Sequence, residues 1–360
     1  MQDRRPDGFT LLVGCYSSPT GDGGGIRIFR FEPPGGAQRP PRITSLGWDV
    51  SARNASYLVA SGDGRYVYAV DEQGGGRGGV CAYAFDQAAS RLRPIGRMAT
   101  AGDFPCHLVL SADGSHVFVA NYGSEQAGGS GIAAYRRRPD NGALSGGGMA
   151  ISYAYPSHAH AIVPSPDAGY VFVPDLGRDR VRRYRFAPTG DDVVLREAGV
   201  AAVTPNAGPR HLLFTPDGRH AFLVAEAAEQ VVAYRYENGM LIRRATLPLS
   251  NHGTARGAGA ALALSPDGRF LYVSNRGHLN QIAIFEIDAD GHPRARGQVS
   301  CEGVHPRDLL VTPCGAWLLV ANQHSDEVVC FTRHADHGGL QPSGERLAVR
   351  APARLLAIGC

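Results

Sequence analysis

Apolar residues in this chain come in short runs bounded by glycine, proline and aspartate. None extends into the three-to-four spacing of a long helix face. One polar mark recurs between the runs: S-G-D-G-R at 61–65, S-A-D-G-S at 111–115, S-P-D-A-G at 165–169, T-P-D-G-R at 215–219, S-P-D-G-R at 265–269 and T-P-C-G-A at 312–316. An Asp-Gly step between apolar runs signals a hairpin, because glycine accepts positive φ and the aspartate side chain closes the turn. Runs such as 108–110, 212–214 and 309–311 precede the marks, and runs rich in β-branched and aromatic residues, such as 66–70, 117–120 and 271–273, follow them. These are strands. The marks centre on positions 63, 113, 167, 217, 267 and 314, a period near 50 residues.

A third run follows each hairpin and carries a β-branched residue three positions before an aromatic. The pairs are Ile26/Phe29, Val80/Tyr83, Ile132/Tyr135, Val181/Tyr184, Val231/Tyr234, Ile282/Phe285 and Val328/Phe331. The runs are too short for a helix, so they read as third strands, and a weaker fourth strand follows each. Four antiparallel strands per unit at this period predict an all-β chain, a seven-bladed β-propeller of four-stranded antiparallel blades, forming one domain over residues 1–360. The blade count comes from the ends. Only six turn marks exist, yet the third-strand pair appears seven times. The tail P-A-R-L-L-A-I at 352–358 matches P-R-D-L-L-V at 306–311, and F-T-L-L-V-G-C-Y at 9–16 reads as a second strand with no first strand before it. The last blade is therefore expected to be closed by the N- and C-terminal strands together, which removes a sheet edge.

Composition narrows the chemistry. The net charge is only +3, so no broad basic field points to nucleic acid or a membrane surface. All 36 basic residues are arginine, which excludes Schiff-base chemistry and a phosphate-loop lysine and makes every cationic anchor a guanidinium. Residues 1–10 are polar and no apolar stretch approaches 18 residues, so neither secretion nor membrane insertion is indicated, and the 7 scattered cysteines form no C-x-x-C pair. The expectation is a cytoplasmic protein, a monomer or weak dimer.

Within each unit the first strand runs toward the turn and the second runs back. The start of one and the end of the other must lie on the same face of the ring. Counting back seven from the turn centre gives Ser56, Cys106, His160, Arg210, Ala260 and Arg307; counting back six gives Tyr57, His107, Ala161, His211, Ala261 and Asp308. Counting forward eight gives Asp71, Asn121, Asp175, Ala225, Asn275 and Asn322; forward nine gives Glu72, Tyr122, Leu176, Glu226, Arg276 and Gln323. One mouth of the channel thus gathers histidine, arginine and carboxylates, the ordinary signature of a small-molecule site. Asp and Asn at the forward-eight positions suit loop capping equally well. Arg210, Arg276, His160 and Glu226 are types that capping does not require. S-H-A-H-A at 157–161 puts His158 and His160 on one side of extended chain, and the glycine-rich segment 251–259 adds His252 and Arg256. Gly74, Gly76 and Gly79 fit G-x-G-x-x-G, but a strand follows them, so dinucleotide binding is unsupported. Zinc on His158 and His160 with His107 or His211 lacks a completing carboxylate, and neither metal nor cofactor is expected.

F-P-C-H-L with V-A-N-Y-G, S-H-A-H with V-P-D-L-G, G-P-R-H-L-L-F-T-P-D-G, S-P-D-G-R-F-L-Y-V-S-N-R-G, and H-P-R-D with V-A-N-Q together resemble the seven-bladed lactonase family, nearly end to end. That family includes bacterial 6-phosphogluconolactonases and fungal carboxy-cis,cis-muconate cyclases. The resemblance implies a site built from a histidine of S-H-A-H, the arginine of G-P-R-H, the glutamate ending the next strand and the arginine of S-N-R-G. These are His158 or His160, Arg210, Glu226 and Arg276. Ala225, Ala260, Ala261 and Cys15 depart from residues common in relatives. The resulting expectation is a lactonase acting on an anionic sugar lactone, 6-phosphogluconolactone foremost. His160, Glu226, Arg210, Arg276 and His158 would be catalytic, and His107, Asn121, Asp175, His211, Asn275, Arg307, Asn322 and Glu72 would bind substrate. The base role leans to His160, since a carboxylate held by two guanidiniums is a weaker base. The alternatives are a lactone-forming cycloisomerase on a carboxymuconate-like dicarboxylate and a non-catalytic scaffold.

Overall fold

The computed structural model describes residues 8–18, 23–34, 40–124, 129–189, 192–250 and 257–359, without the side chains of 146–148, 188–189 and 192–194. Among the described residues, twenty-eight strands form seven four-stranded antiparallel sheets, each a blade of one propeller. Blades one to six begin with the inner strands Leu58–Ala60, Pro105–Leu110, Val163–Pro164, Pro209–Phe214, Gly257–Leu264 and Pro306–Val311. Blade seven takes its inner strand, Pro352–Ile358, from the end of the chain and its other three, Phe9–Ser17, Gly23–Glu32 and Arg42–Asp49, from the beginning.

The repeated spacing of three in the third strand now has a physical reason. Side chains alternate along a strand, so an odd spacing sends the two residues to opposite faces. Ile26 faces the core between blades seven and one, while Phe29 faces the core between blades six and seven. The same split holds at every pair, down to Val328 and Phe331, which enter the cores on either side of blade six. Each of the seven blade junctions therefore receives a branched residue from one blade and an aromatic from the next. The second and third strands of each blade are thus buried on both faces, while the fourth strands are largely exposed.

The turn marks fold as their sequence dictates. In the first, the Ser61 hydroxyl donates to Asp63 Oδ1 at 2.5 Å, Asp63 accepts the Arg65 amide at 3.1 Å, and Gly64 sits at φ +67°. In the sixth, Cys314 replaces the aspartate, and Thr312 Oγ1 still accepts the Trp317 amide at 3.1 Å.

A second repeated irregularity positions the site. Inner strands carry a bulge near their start, between Pro105 and His107, Pro209 and His211, Pro306 and Asp308, and opposite Gly14 and Cys15 in blade seven. A bulge sets two successive residues against one on the partner strand and re-aims their side chains. Arg210 and His211, or Arg307 and Asp308, can thus both serve the channel, one above the other.

The ring is closed by more than strand pairing. Arg354, on the C-terminal inner strand, pairs with Asp308 of blade six at 3.3 Å and lies 4.1 Å over the Tyr57 ring of blade one. Asp308 also accepts the Leu355 amide at 2.7 Å. Removing one partner of a buried ion pair typically costs about 3–5 kcal/mol, so Asp308→Ala should lower unfolding stability by about that amount. Denaturant unfolding checks this. An unchanged midpoint would mean the pair contributes nothing to closure.

Candidate active site

The upper layer of the mouth is built from the inner-strand starts and the second-strand ends. Arg210, from the blade-four bulge, places Nε 3.0 Å from Glu226 Oε2, and Glu226 follows the end of that blade's second strand. Arg276, from blade five, brings Nη2 to 2.8 Å from the same oxygen. One carboxylate oxygen therefore lies between two guanidiniums. The Arg210 Nε contact is an ion pair without an aligned hydrogen bond, while its Nη1 donates to the Ala260 carbonyl at 2.5 Å. Burial pushes the Arg210 pKa down to about 10, with repulsion from Arg276 next, so the guanidinium is still charged at neutral pH. Arg276 is also lowered, by burial first, and its Nη1 lies 3.4 Å from His305.

Further round, Arg307 Nη2 donates to the Tyr16 hydroxyl at 2.6 Å, with the guanidinium 5.0 Å above the Tyr16 ring. Tyr16 donates to Glu72 Oε2 at 2.7 Å, and the same oxygen accepts the Ser56 hydroxyl. Burial opposes charge on Arg307, but Tyr16, Glu72 and Glu226 outweigh it and leave its pKa raised, unlike that of Arg210 or Arg276.

His160 is buried beside this set, with Nδ1 3.9 Å from Cys106 Sγ. Burial, then Arg210 and Arg307, hold its pKa well below the usual 6.5, so its imidazole is neutral at physiological pH. Burial also pushes the Cys106 thiol far up, which makes it inert packing rather than a nucleophile. His158 is placed differently. Its ring stacks on Tyr122 at 4.3 Å and Nδ1 lies 2.9 Å from the Tyr122 carbonyl, so it flanks the mouth while His160 lines it. Tyr122 touches both rings, meeting His160 edge-on at 5.5 Å.

Several of the expected substrate-binding residues also hold the loops around the mouth. Asn121 donates to the Thr100 carbonyl at 3.1 Å, and Asn322 makes the same bond to the Cys301 carbonyl at 2.9 Å. Asn275 donates to Glu229 at 3.1 Å. Asp175, fully buried, accepts from Ser157, the His158 amide and Arg182 at 2.9–3.0 Å, so it fixes the S-H-A-H segment rather than a ligand. Each inter-blade loop must satisfy its buried polar groups, and these side chains meet part of that need, while the Oδ1 atoms of Asn121, Asn275 and Asn322 are buried without a hydrogen-bond partner among the described residues.

His107 and His211 lie one layer deeper. With Tyr57, Asp308 and Arg354 they roof an apolar-walled channel cavity of about 460 Å³ that runs on to the turn end. His107 Nδ1 accepts the Ile162 amide at 3.3 Å, and His211 sits 3.2 Å below Arg210 Nη1. His252 and Arg256 lie outside the described residues. Among the described residues, the groups whose ligand atoms converge as a metal site would require are His334–Asp336–His337 and Asp288–Asp290–His292, away from these histidines.

Tyr16, Ser56, Cys106, Tyr122 and His305 complete the mouth without having been singled out as site residues. Tyr16 is the blade-seven counterpart of Glu72 and Glu226. Counting from turn centres could not reach it, because that blade has no turn mark. The repeat match of 352–358 to 306–311 was the usable signal.

The fold and the whole-chain comparisons together define the class of this protein as a lactone hydrolase. The chain belongs to the family described as lactonase, 7-bladed beta-propeller, matched over residues 10–357. It is 30% identical to the 6-phosphogluconolactonase of Formosa agariphila, covering 96% of this chain and 98% of that protein. It is 30% identical to the 6-phosphogluconolactonase of Bacillus subtilis, over 91% and 92%. The solved structure of the periplasmic gluconolactonase of Pseudomonas aeruginosa superposes with a TM-score of 0.90 at 35% identity, over 98% and 99%.

Glu226→Gln would leave two buried guanidiniums facing a neutral oxygen. The Glu226 side chain is 28% exposed, so the loss should fall below that of a fully buried pair, at about 1–2 kcal/mol. Urea unfolding should show it, and adding Arg276→Met should recover part. A variant as stable as the wild type at low salt would remove Glu226 as the countercharge.

Proposed function

We propose that this chain hydrolyses a gluconolactone-type sugar lactone, with 6-phosphogluconolactone as its substrate. The observation carrying this is the Arg210–Glu226–Arg276 arrangement beside neutral His160. Two fixed guanidiniums suit the oxyanion that develops on the lactone carbonyl, where preorganised charge contributes most. The names of the Formosa and Bacillus relatives support the phosphorylated substrate. So does the mouth's charge, since Arg210, Arg276 and Arg307 stand against Glu226 and Glu72, leaving one positive charge.

In this mechanism His160 takes a proton from water as it attacks the carbonyl carbon, and the negative charge moves to the carbonyl oxygen beside Arg210 and Arg276. Collapse breaks the bond to the ring oxygen, which receives the proton back from His160. A histidine whose pKa is depressed is a modest base but a strong acid once protonated, so the return step is favoured. Glu226 holds the two arginines in place and accepts a hydrogen bond from the attacking water. The six free cysteines among the described residues fit a reducing compartment such as the cytoplasm.

Purified protein should hydrolyse 6-phosphogluconolactone well above its spontaneous rate, undiminished by excess chelator. Arg210→Ala and Glu226→Gln should each lower kcat by about 100–1000-fold with the fold intact by circular dichroism. Wild-type protein that leaves the spontaneous rate unchanged would sink this reading.

The pH profile tests His160 itself. A base must be neutral to act, and this one keeps its neutral form to well below 6.5. The rate constant kcat/KM should therefore stay flat as pH falls from 8 through 6.5 and drop only below that. An inflection at or above 6.5 would exclude His160 as the base.

A further inference from the structure

We propose that Arg307, oriented by Tyr16, is the subsite for the substrate's anionic group and sets a preference for phosphorylated over neutral lactones. This rests on the lactonase reading above. The three guanidiniums of the mouth are not equivalent. Arg210 and Arg276 both close on Glu226 Oε2, at 3.0 and 2.8 Å, and so share one carboxylate in direct contact, while Glu72 and Glu226 act on Arg307 only through space. Among the described residues, no carboxylate comes within 4.0 Å of Arg307. Its bonded neighbour is the phenol of Tyr16, and Glu72 is reached only through that hydroxyl.

Space points the same way. In the layer that supplies Ser56, Cys106, His160 and Arg210, the positions on either side of Arg307 around the ring are Ala260 and Ala353, set by the same strand register. Small side chains therefore flank Arg307 in that layer. His160 stands three blades away on the seven-blade ring, so the reacting carbonyl and a terminal anion can occupy opposite sides of one mouth. The Tyr16 hydroxyl and ring hold the guanidinium from one side, and its remaining N–H groups can be offered as paired donors to phosphate or carboxylate.

The test compares 6-phosphogluconolactone with glucono-1,5-lactone, using wild type, Arg307→Met, Arg307→Lys and Tyr16→Phe. Wild type should favour the phosphorylated lactone in kcat/KM by about 100-fold or more, and Arg307→Met should collapse that ratio to within about threefold, mainly through KM. Arg307→Lys should restore part of the ratio, and Tyr16→Phe should reduce it about tenfold. Equal losses on both lactones in Arg307→Met, or a wild type without preference, would overturn the assignment. Calorimetric binding of 6-phosphogluconate against gluconate separates this from failure of the lactonase reading. If neither lactone is hydrolysed, tighter wild-type binding of the phosphorylated acid that is lost in Arg307→Met still supports the subsite. Equal binding of the two acids overturns it.

Discussion

The constraint on which the rest of this molecule depends is the burial of both faces of the second and third strands of every blade. A sheet covered on two sides has no interior position where a charged residue is cheap, because an uncompensated polar group there costs several kcal/mol. Strand interiors are accordingly valine, alanine, leucine and aromatics, shared between seven junction cores. Only the strand ends and the channel wall are left for chemistry. At the turn end the Ser/Thr–Asp side chains are consumed by the turns themselves, as at Ser61 and Asp63. The opposite mouth is where arginine, glutamate and histidine can be displayed.

The bulges turn that constraint into a site. A regular inner strand would send alternate residues into a blade interface, which would force Arg210 or His211 into an apolar junction. With the bulge, Arg210 serves the upper layer and His211 the floor beneath it. The floor, with its Arg354–Asp308 pair, also ties blade seven to blade six. One local irregularity thus joins the closing of the ring to the layering of its polar groups.

The repeat was legible in the sequence because it is enforced by packing at each of seven junctions, and blade seven could be assembled from matching fragments. The Arg210–Glu226–Arg276 set was legible because the turn centres put equivalent positions in register and few structural duties call for those residue types. Asn121, Asn275, Asn322 and Asp175 occupy the expected register and also bond to neighbouring loops. Their short side chains reach neighbouring loop groups, and whether a loop uses them this way depends on the path of the loop, which the register count does not carry. Tyr16 escaped the register count. It lies in a blade whose first strand is more than 330 residues away along the chain, so no local count could find it.

The electrostatics of the mouth explain why a buried histidine is compatible with three arginines. Protonating His160 in the resting site would add a fourth cation to a poorly hydrated ring, and its depressed pKa expresses that cost. In the proposed mechanism the imidazolium forms together with a new oxyanion during attack on the carbonyl, so the mouth's net charge would not change. Arg210 and Arg276 would then meet negative charge from two sides, Glu226 on one and the oxyanion on the other. A charge separation that burial penalises at rest is thereby matched to the moment of reaction, which is the condition for stabilising a transition state more than the ground state.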